Sequence, residues 1–341
     1  MIEIDGSYLE GGGQIVRTAL ALSTITGKPF RVASIRKGRE KPGLKHQHLY
    51  AVRALKELCS AKVIGDELGS QTLEFIPGKI KYQNMNIDIG TAGSITLLLQ
   101  AVFPVAIFSD KKLIIKIRGG TDTIHSMPVD YFTNVFLPHM RGYCNYETEL
   151  ESRGYYPKGG GKYILRIEPL ASREKTELTE QGKLIVIKGI SHASKDLLHA
   201  SVAERQAKSA RYILNKFDVP VKIDSVYSET LSTGSGITVW ALFTKNEETF
   251  INPVILGTDT LGERGKKAEK VGEEAALKLC MEIESKAAVD RHLADQLLPF
   301  LALFGGSIKT SEITDHCRTN MYTIERFLDK RFIVEGNVIT V

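Results

Sequence analysis

Two stretches of the chain begin alike. GGGQIVRTALALS, residues 11–23, and GTAGSITLLLQAVF, residues 90–103, each put a glycine-bearing loop directly before an apolar helix and directly after a strand pattern. The hydrophobic period extends the likeness. The first unit reads as a strand from Ile2 to Asp5, a helix from Gln14 to Ile25, a strand from Phe30 to Ile35, a helix from about Lys45 to Leu58, and strands near Val63 and from Leu73 to Ile76. The second reads as a strand from Asn86 to Ile89, a helix from Ser94 to Phe108, a strand from Leu113 to Ile117, a helix from Val129 to Met140, and strands from Cys144 to Glu149 and from Tyr163 to Ile167. The order βαβαββ recurs at similar length, which predicts a duplicated unit.

The C-terminal 55 residues look like a third copy without its first strand: a helix from His292 to Leu303, a strand from Ser307 to Ile313, a helix from Asn320 to Leu328 and the hairpin FIVE-GN-VITV. A missing opening strand predicts an insertion. Residues 182–286 break the pattern, with a strand from Leu184 to Ile187, a helix from Ala200 to Lys216, strands at Val221 to Tyr227 and Ile237 to Phe243, and a helix from Lys266 to Glu284. The expected organisation is a large repeat-built domain, 1–181 with 287–341, interrupted by a smaller α/β domain, 182–286. Strands alternating with helices over short connections give α/β (α+β) sheets covered by helices on one face.

With 341 residues, 43% of them apolar, the chain can bury a large core. No run of 18 apolar residues occurs, and MIEIDG enters a strand pattern directly, so a cytoplasmic protein that engages no membrane is expected. The four cysteines are far apart and form no C-x-x-C pair, which argues against a disulfide framework or structural zinc. A net charge of +5 is modest, and its distribution says more.

The loop at residues 11–13 suits a phosphate cradle, because free N–H groups at a helix start attract anions and glycine permits close approach. It is equally an ordinary strand-to-helix turn. It is not a Walker loop, since Gln14 and Arg17 stand where Lys-Ser/Thr would follow. Glu10 beside it helps anion binding only by holding a divalent cation. SIRKGREKPGLKHQH carries Arg36, Lys37, Arg39, Lys41 and Lys45 against Glu40, and then Gln47 and His48. Such a loop suits several phosphates, or is a solvated basic face. RGYYPKGGGKY reads as a hairpin with a bulge, although two tyrosines and two lysines also suit a nucleic-acid strand. His316, in TDHCRTNMYTIERFL, falls between a strand and a helix capped by Thr319 or Asn320. A helix N-terminus favours the neutral imidazole, the form that attacks phosphorus; a loop histidine with one structural hydrogen bond is the plainer reading. Asp295 could meet a ribose, cap a loop or face water.

With these segments in place, the whole chain resembles the RNA 3'-terminal phosphate cyclase family, through EGGGQIVR, SIRKGREKPGLKHQH, RGYYPKGGG and HCRTN. The resemblance implies three βαβαββ repeats like the C-terminal domain of a translation initiation factor, with a smaller thioredoxin-like α/β domain inserted. It implies that His316 attacks the α-phosphorus of ATP to form a covalent histidine-AMP, that AMP passes to the 3'-phosphate of an RNA end, and that the adjacent 2'-hydroxyl closes a 2',3'-cyclic phosphate. Glu10 aligns with a ligand for Mg2+ or Mn2+, and Gln14, Arg17, Arg36 and Arg39 align with positions around the nucleotide and RNA phosphates. Gln47, His48 and Gln100 align with polar site positions and Asp295 with one near the ribose. His292 replaces the tyrosine that often stacks on adenine, with Pro128 or Met127 on the other face. ATP and RNA with a 3'-phosphate end are the implied partners, and a homo-oligomer is left open. The rival within the family is a non-catalytic cyclase-like RNA-binding protein of ribosome biogenesis, which lacks the nucleophilic histidine; His316, Glu10 and the arginines favour the enzyme. A plain nucleic-acid-binding protein is the rival of a different class.

Overall fold

The computed structural model describes residues 1–9, 11–245 and 253–341. Its first unit runs β1 (Ile2–Asp5), α1 (Gln14–Thr26), β2 (Phe30–Ala33), α2 (His46–Cys59), β3 (Lys62–Ile64) and β4 (Leu73–Ile76). The second runs β5 (Met85–Asp88), α3 (Ile95–Ala106), β6 (Leu113–Gly119), α4 (Val129–Tyr131), β7 (Cys144–Ser152) and β8 (Gly161–Pro169). The helix expected up to Met140 is α-helical for one turn only and continues as a π turn, Phe132–Phe136, and a 3-10 turn, Leu137–Met140. Pro138 contributes to this irregularity, because it has no N–H for the ladder.

A third unit opens with β9 (Thr176–Leu178). The chain then leaves for β10 (Lys183–Ser194), α5 (Val202–Leu214), β11 (Val221–Ser228), β12 (Ser235–Thr244), β13 (Val254–Leu261) and α6 (Ala268–Glu284). It returns through α7 (Arg291–Phe304), β14 (Gly306–Lys309), α8 (Asp315–Phe327), β15 (Ile333–Glu335) and β16 (Val338–Thr340). The opening strand missing from the sequence pattern is therefore β9, which pairs parallel with β14 across more than a hundred intervening residues. At three residues it is too short to display a period. Strand β13, which the pattern also leaves unread, pairs antiparallel with β12.

The sheets share one topology. Their orders are β1-β2-β4-β3, β5-β6-β8-β7 and β9-β14-β16-β15, so each unit places its two opening strands side by side and parallel, with its closing hairpin outside. The fourth sheet, β11-β10-β12-β13, carries α5 and α6 packed against one another and against its strands. Its core, from Ile187 to Ala288, is distinct from the larger core of the three units.

The helices that matter most are nearly all apolar and face inward. Helix α1 is buried from Gln14 to Thr24 because α2, α3 and α8 all pack on it. Each fully buried Ile15 or Leu20 contributes about 1.5–3 kcal/mol. Phe103 of α3 meets Phe132, Phe136 and Phe300 edge-on, fastening the second unit to α7 of the third. Among the described residues, no helix is long and apolar enough to cross a membrane.

Candidate active site

The first helix of each unit, α1, α3 and α7, carries polar side chains into an otherwise apolar centre, and these meet. Gln14 Nε2 donates to Asp295 Oδ2 at 2.5 Å, and Gln296 Nε2 donates to the same oxygen at 3.1 Å. Arg17 Nε donates to Gln100 Oε1 at 2.8 Å, and Gln100 Nε2 donates to Gln296 Oε1 at 2.6 Å. Helix α8 closes the ring. Asn320 Nδ2 donates to the Asp295 carbonyl at 2.7 Å and its Oδ1 accepts from Thr18 Oγ1 at 2.6 Å. Three repeats thus supply one hydrogen-bonded cluster.

Burial sets the electrostatics. It lowers Arg17 to about 10, while the charge of Asp295 opposes the shift. It raises Asp295 to about 7, against Arg17 and the two glutamine donors. The cavity among Gln14, Arg17, Gln100, Met127, Asp295 and Phe300 is about 30 Å³, room for a water molecule and not for a nucleotide. Any larger ligand must lie on the open side of the cluster.

That side is formed by the glycine turn. Gly13 precedes α1, no side chain among the described residues caps the helix, and its first-turn amides lack intrahelical partners. Gly11 takes a positive φ of 53°. The ring of His48 lies on Gly13, where a β-carbon would come within 1.9 Å of Nε2. Gly12 is different: among the described residues a β-carbon there would approach Gln14 N at 3.9 Å and His316 Cε1 at 4.0 Å and nothing closer. The imidazole of His316 therefore faces the turn at Gly12 and is itself exposed.

His316 reaches this place from inside a helix. Thr314, not Thr319 or Asn320, caps α8, accepting from Cys317 N at 3.2 Å. The expected cap positions are more than a turn too late, and Asn320 instead serves the central cluster. The buried side chains of Gln14 Oε1 and Thr319 Oγ1 have no hydrogen-bond partner among the described residues, an arrangement suited to a ligand or ordered water.

The basic loop arrives from the other side. His48 Nδ1 accepts from Lys45 N at 3.1 Å, which leaves the ring proton on Nε2, toward Gly13. Burial, followed by Arg17, Arg36 and Lys45, holds His48 well below its usual range, so it is neutral at physiological pH. Arg36 ties its own loop by donating to the carbonyls of Lys41 at 2.7 Å and Gly43 at 3.0 Å, and Arg39 is exposed beside it. Burial lowers Arg36, and the neighbouring Arg39 lowers it further. Gln47, half-buried in the first turn of α2, adjoins Gly93 of the second unit's glycine loop.

Pro128 and His292 stand at the starts of two helices, α4 and α7, that share a tie through Asp290. Pro128 is buried at the start of α4, and Met127 next to it lines the small cavity. His292 is exposed in the first turn of α7. Asp290 caps α7, accepting from His292 N and Leu293 N at 3.0 and 2.9 Å, and also accepts from Tyr131 Oη of α4.

Glu10, the side chain offered for a divalent cation, lies outside the described residues. A second group of metal-ligand types, Asp122, Asp130 and His192, comes together in the interior. Its cation is already present: Arg153 Nη2 is 2.7 Å from Asp130 Oδ2 and Nη1 is 3.3 Å from Asp122 Oδ2. His192 Nε2 is 3.2 Å from Asp122 Oδ1, and Nδ1 is 2.8 Å from Tyr155 Oη. Arg153 and Tyr155 belong to RGYYPKGGG, read from sequence as a hairpin, so its first half is a buried clasp between β10 and the second unit. The sequence signal available was a lone arginine before glycine and two tyrosines, which does not disclose a partner at residue 192.

Residues 8–334 match the family model described as RNA 3'-terminal phosphate cyclase. The protein of that name from Pyrococcus furiosus is 48% identical over 339 residues, covering 99% of this chain and 96% of its own. Its namesake from Thermococcus onnurineus is 49% identical over 340 residues, covering 99% and 96%. That from Saccharolobus solfataricus is 48% identical over 339 residues, covering 98% and 97%. The match takes in the glycine turn, the basic loop, the central cluster and the start of α8, and the chain belongs to the RNA 3'-terminal phosphate cyclase family, enzymes of the ligase type.

Proposed function

We propose that this protein converts an RNA 3'-phosphate end to a 2',3'-cyclic phosphate at the expense of ATP, through a covalent histidine-AMP on His316 and an RNA-adenylate. The observation that carries the reading is that the exposed His316 imidazole faces Gly12, just before the first-turn amides of α1. An imidazole nitrogen there can bond to the α-phosphorus of ATP while the P–O bond to pyrophosphate breaks. The P–N bond then breaks as a 3'-phosphate oxygen of the RNA takes AMP. The 2'-hydroxyl attacks the activated phosphorus, and AMP leaves.

The chain's own groups fit these steps. First-turn amides of α1 and the Nε2 proton of His48 are donors toward negative phosphate oxygens, and Arg36 and Arg39 supply positive charge beside them. Arg17, held by Gln100 and balanced by Asp295, adds charge from beneath. The Gln14 amide oxygen has no partner among the described residues and is an acceptor for a ligand hydroxyl or water. A divalent ion, for which Glu10 is the ligand offered by the sequence, would neutralise phosphate charge. In this reading residues 1–181 with 287–341 form the catalytic body, residues 182–286 an inserted domain, and the protein works in the cytoplasm.

The test is incubation with ATP labelled at the α-phosphate, with Mg2+ or Mn2+, followed by denaturing electrophoresis. A labelled band is expected that is stable to alkali, labile to acid and missing from His316→Ala. A band of equal intensity in His316→Ala moves the nucleophile elsewhere; no band in the wild-type protein removes the covalent mechanism.

A further inference from the structure

The second half of RGYYPKGGG is not used by the clasp or by the proposed chemistry. Its backbone is nonetheless held firmly. Tyr155 is buried on His192, Gly159 N donates to the Tyr155 carbonyl at 2.8 Å, and Lys158 N donates to Ser232 Oγ at 3.1 Å. Gly159 takes a φ of +66°, and a β-carbon on it would approach the Thr91 carbonyl to 2.5 Å. On this fixed base Tyr156 is turned outward and is 74% exposed. A large aromatic side chain standing in water on a rigid loop leaves its apolar area unused, and no other ring stacks on it among the described residues. Lys158 and Lys162 follow it in the chain, both exposed, and neither has a carboxylate within 4.0 Å among the described residues.

The loop also adjoins the candidate active site through a chain of close contacts. Gly159 abuts Thr91 and Ala92, Gly93 of the same turn abuts Gln47, His48 lies on Gly13, and Gly12 faces His316. These contacts tie the base of the loop to the neighbourhood of the imidazole by way of the glycine loops of two units.

We propose that this loop is a platform for the single-stranded RNA leading to the 3'-phosphate, with Tyr156 stacking on a base and Lys158 and Lys162 meeting phosphates. The inference rests on the proposed RNA substrate and extends it from the reacting end to the strand behind it. Stacking accepts any base, because every base has a π face, so the platform confers affinity for single strands without sequence selection. A folded protein partner would need a larger apolar surface than one tyrosine and its neighbours present.

The test is binding of a fluorescent 3'-phosphate oligoribonucleotide, measured by anisotropy without ATP, so that it reads the surface whether or not the histidine adduct forms. Tyr156→Ala is expected to raise Kd about tenfold, the loss of one base stack, with an unchanged melting temperature, since the side chain is exposed. Tyr156→Phe should remain within about twofold of wild type, because the ring and not the hydroxyl is used. With 2-aminopurine walked along the strand, quenching at one position should be lost in Tyr156→Ala. Lys158→Ala should reduce the slope of log Kd against log salt by about 0.7. Unchanged affinity in Tyr156→Ala, or equal losses in Tyr156→Phe and Tyr156→Ala, overturns the platform. Failure of wild-type protein to form the adduct overturns only the proposed reaction.

Discussion

Gln14 and Asp295, 281 residues apart, share a 2.5 Å hydrogen bond at the meeting point of the first and third units. Through it the glycine turn that starts α1 is fixed relative to α7. Asp295 also balances buried Arg17, so its charge serves the packing of that guanidinium beneath the turn.

Asp295→Asn keeps the shape and removes the balancing charge. Loss of a charged acceptor for two buried donors is expected to lower stability by about 1.5–3 kcal/mol. Urea denaturation checks this, and a change under about 0.5 kcal/mol would mean that Asp295 is protonated in the folded protein at the working pH.

Gly12 and Gly13 separate folding from ligand access. Gly13→Ala must displace His48, because its β-carbon would come within 1.9 Å of Nε2, and both stability and adduct formation should fall. Gly12→Ala meets no close contact among the described residues, so its melting temperature should stay within a few degrees while adduct formation with labelled ATP falls roughly tenfold or more. An active Gly12→Ala protein would show that the ligand does not use this face.

Asp259 makes the protein less stable as pH rises. Burial pushes its pKa to about 7, so the folded state holds the proton more tightly than the unfolded chain. The stabilisation is complete below about pH 4 and is lost as pH rises through 7. Asp290, raised to about 6 chiefly by burial, acts in the same direction. Thermal melts from pH 5 to 8 should therefore fall less steeply in Asp259→Asn than in wild type, each unit of displaced pKa being worth about 1.4 kcal/mol. Parallel curves would contradict the assignment.

Arg153 is almost wholly buried between Asp122 and Asp130. Although burial opposes it, His192 and Arg153 hold Asp122 below the usual carboxylate range. Arg153→Met removes the cation from Asp130 and leaves Asp122 with His192 alone, and should cost about 3–5 kcal/mol, read by denaturant unfolding. A cost below 1 kcal/mol would mean that the clasp between β10 and the second unit contributes little.

The sequence by itself determined the repeating elements, because a period of 3.6 or 2 is a local property: α1, α3, α7 and the closing hairpin all lie within a few residues of where the pattern puts them. It also showed glycine where no side chain fits and basic residues grouped in one loop, both visible from neighbours alone. Short or irregular pieces escaped it. Strand β9 has too few residues for a period and exists because β14, far along the chain, completes its hydrogen bonds, while α4 turns to π and 3-10 geometry among the packed rings of Phe103, Phe136 and Phe300. Only the tertiary structure decided that Gln14, Arg17, Gln100, Asp295 and Asn320 form one cluster, that His316 stands inside a helix against Gly12, and that Arg153 fills the space among Asp122, Asp130 and His192. The physical reason is that a buried polar group must find its partner in space, and nothing in the residues next to it specifies which distant residue that will be.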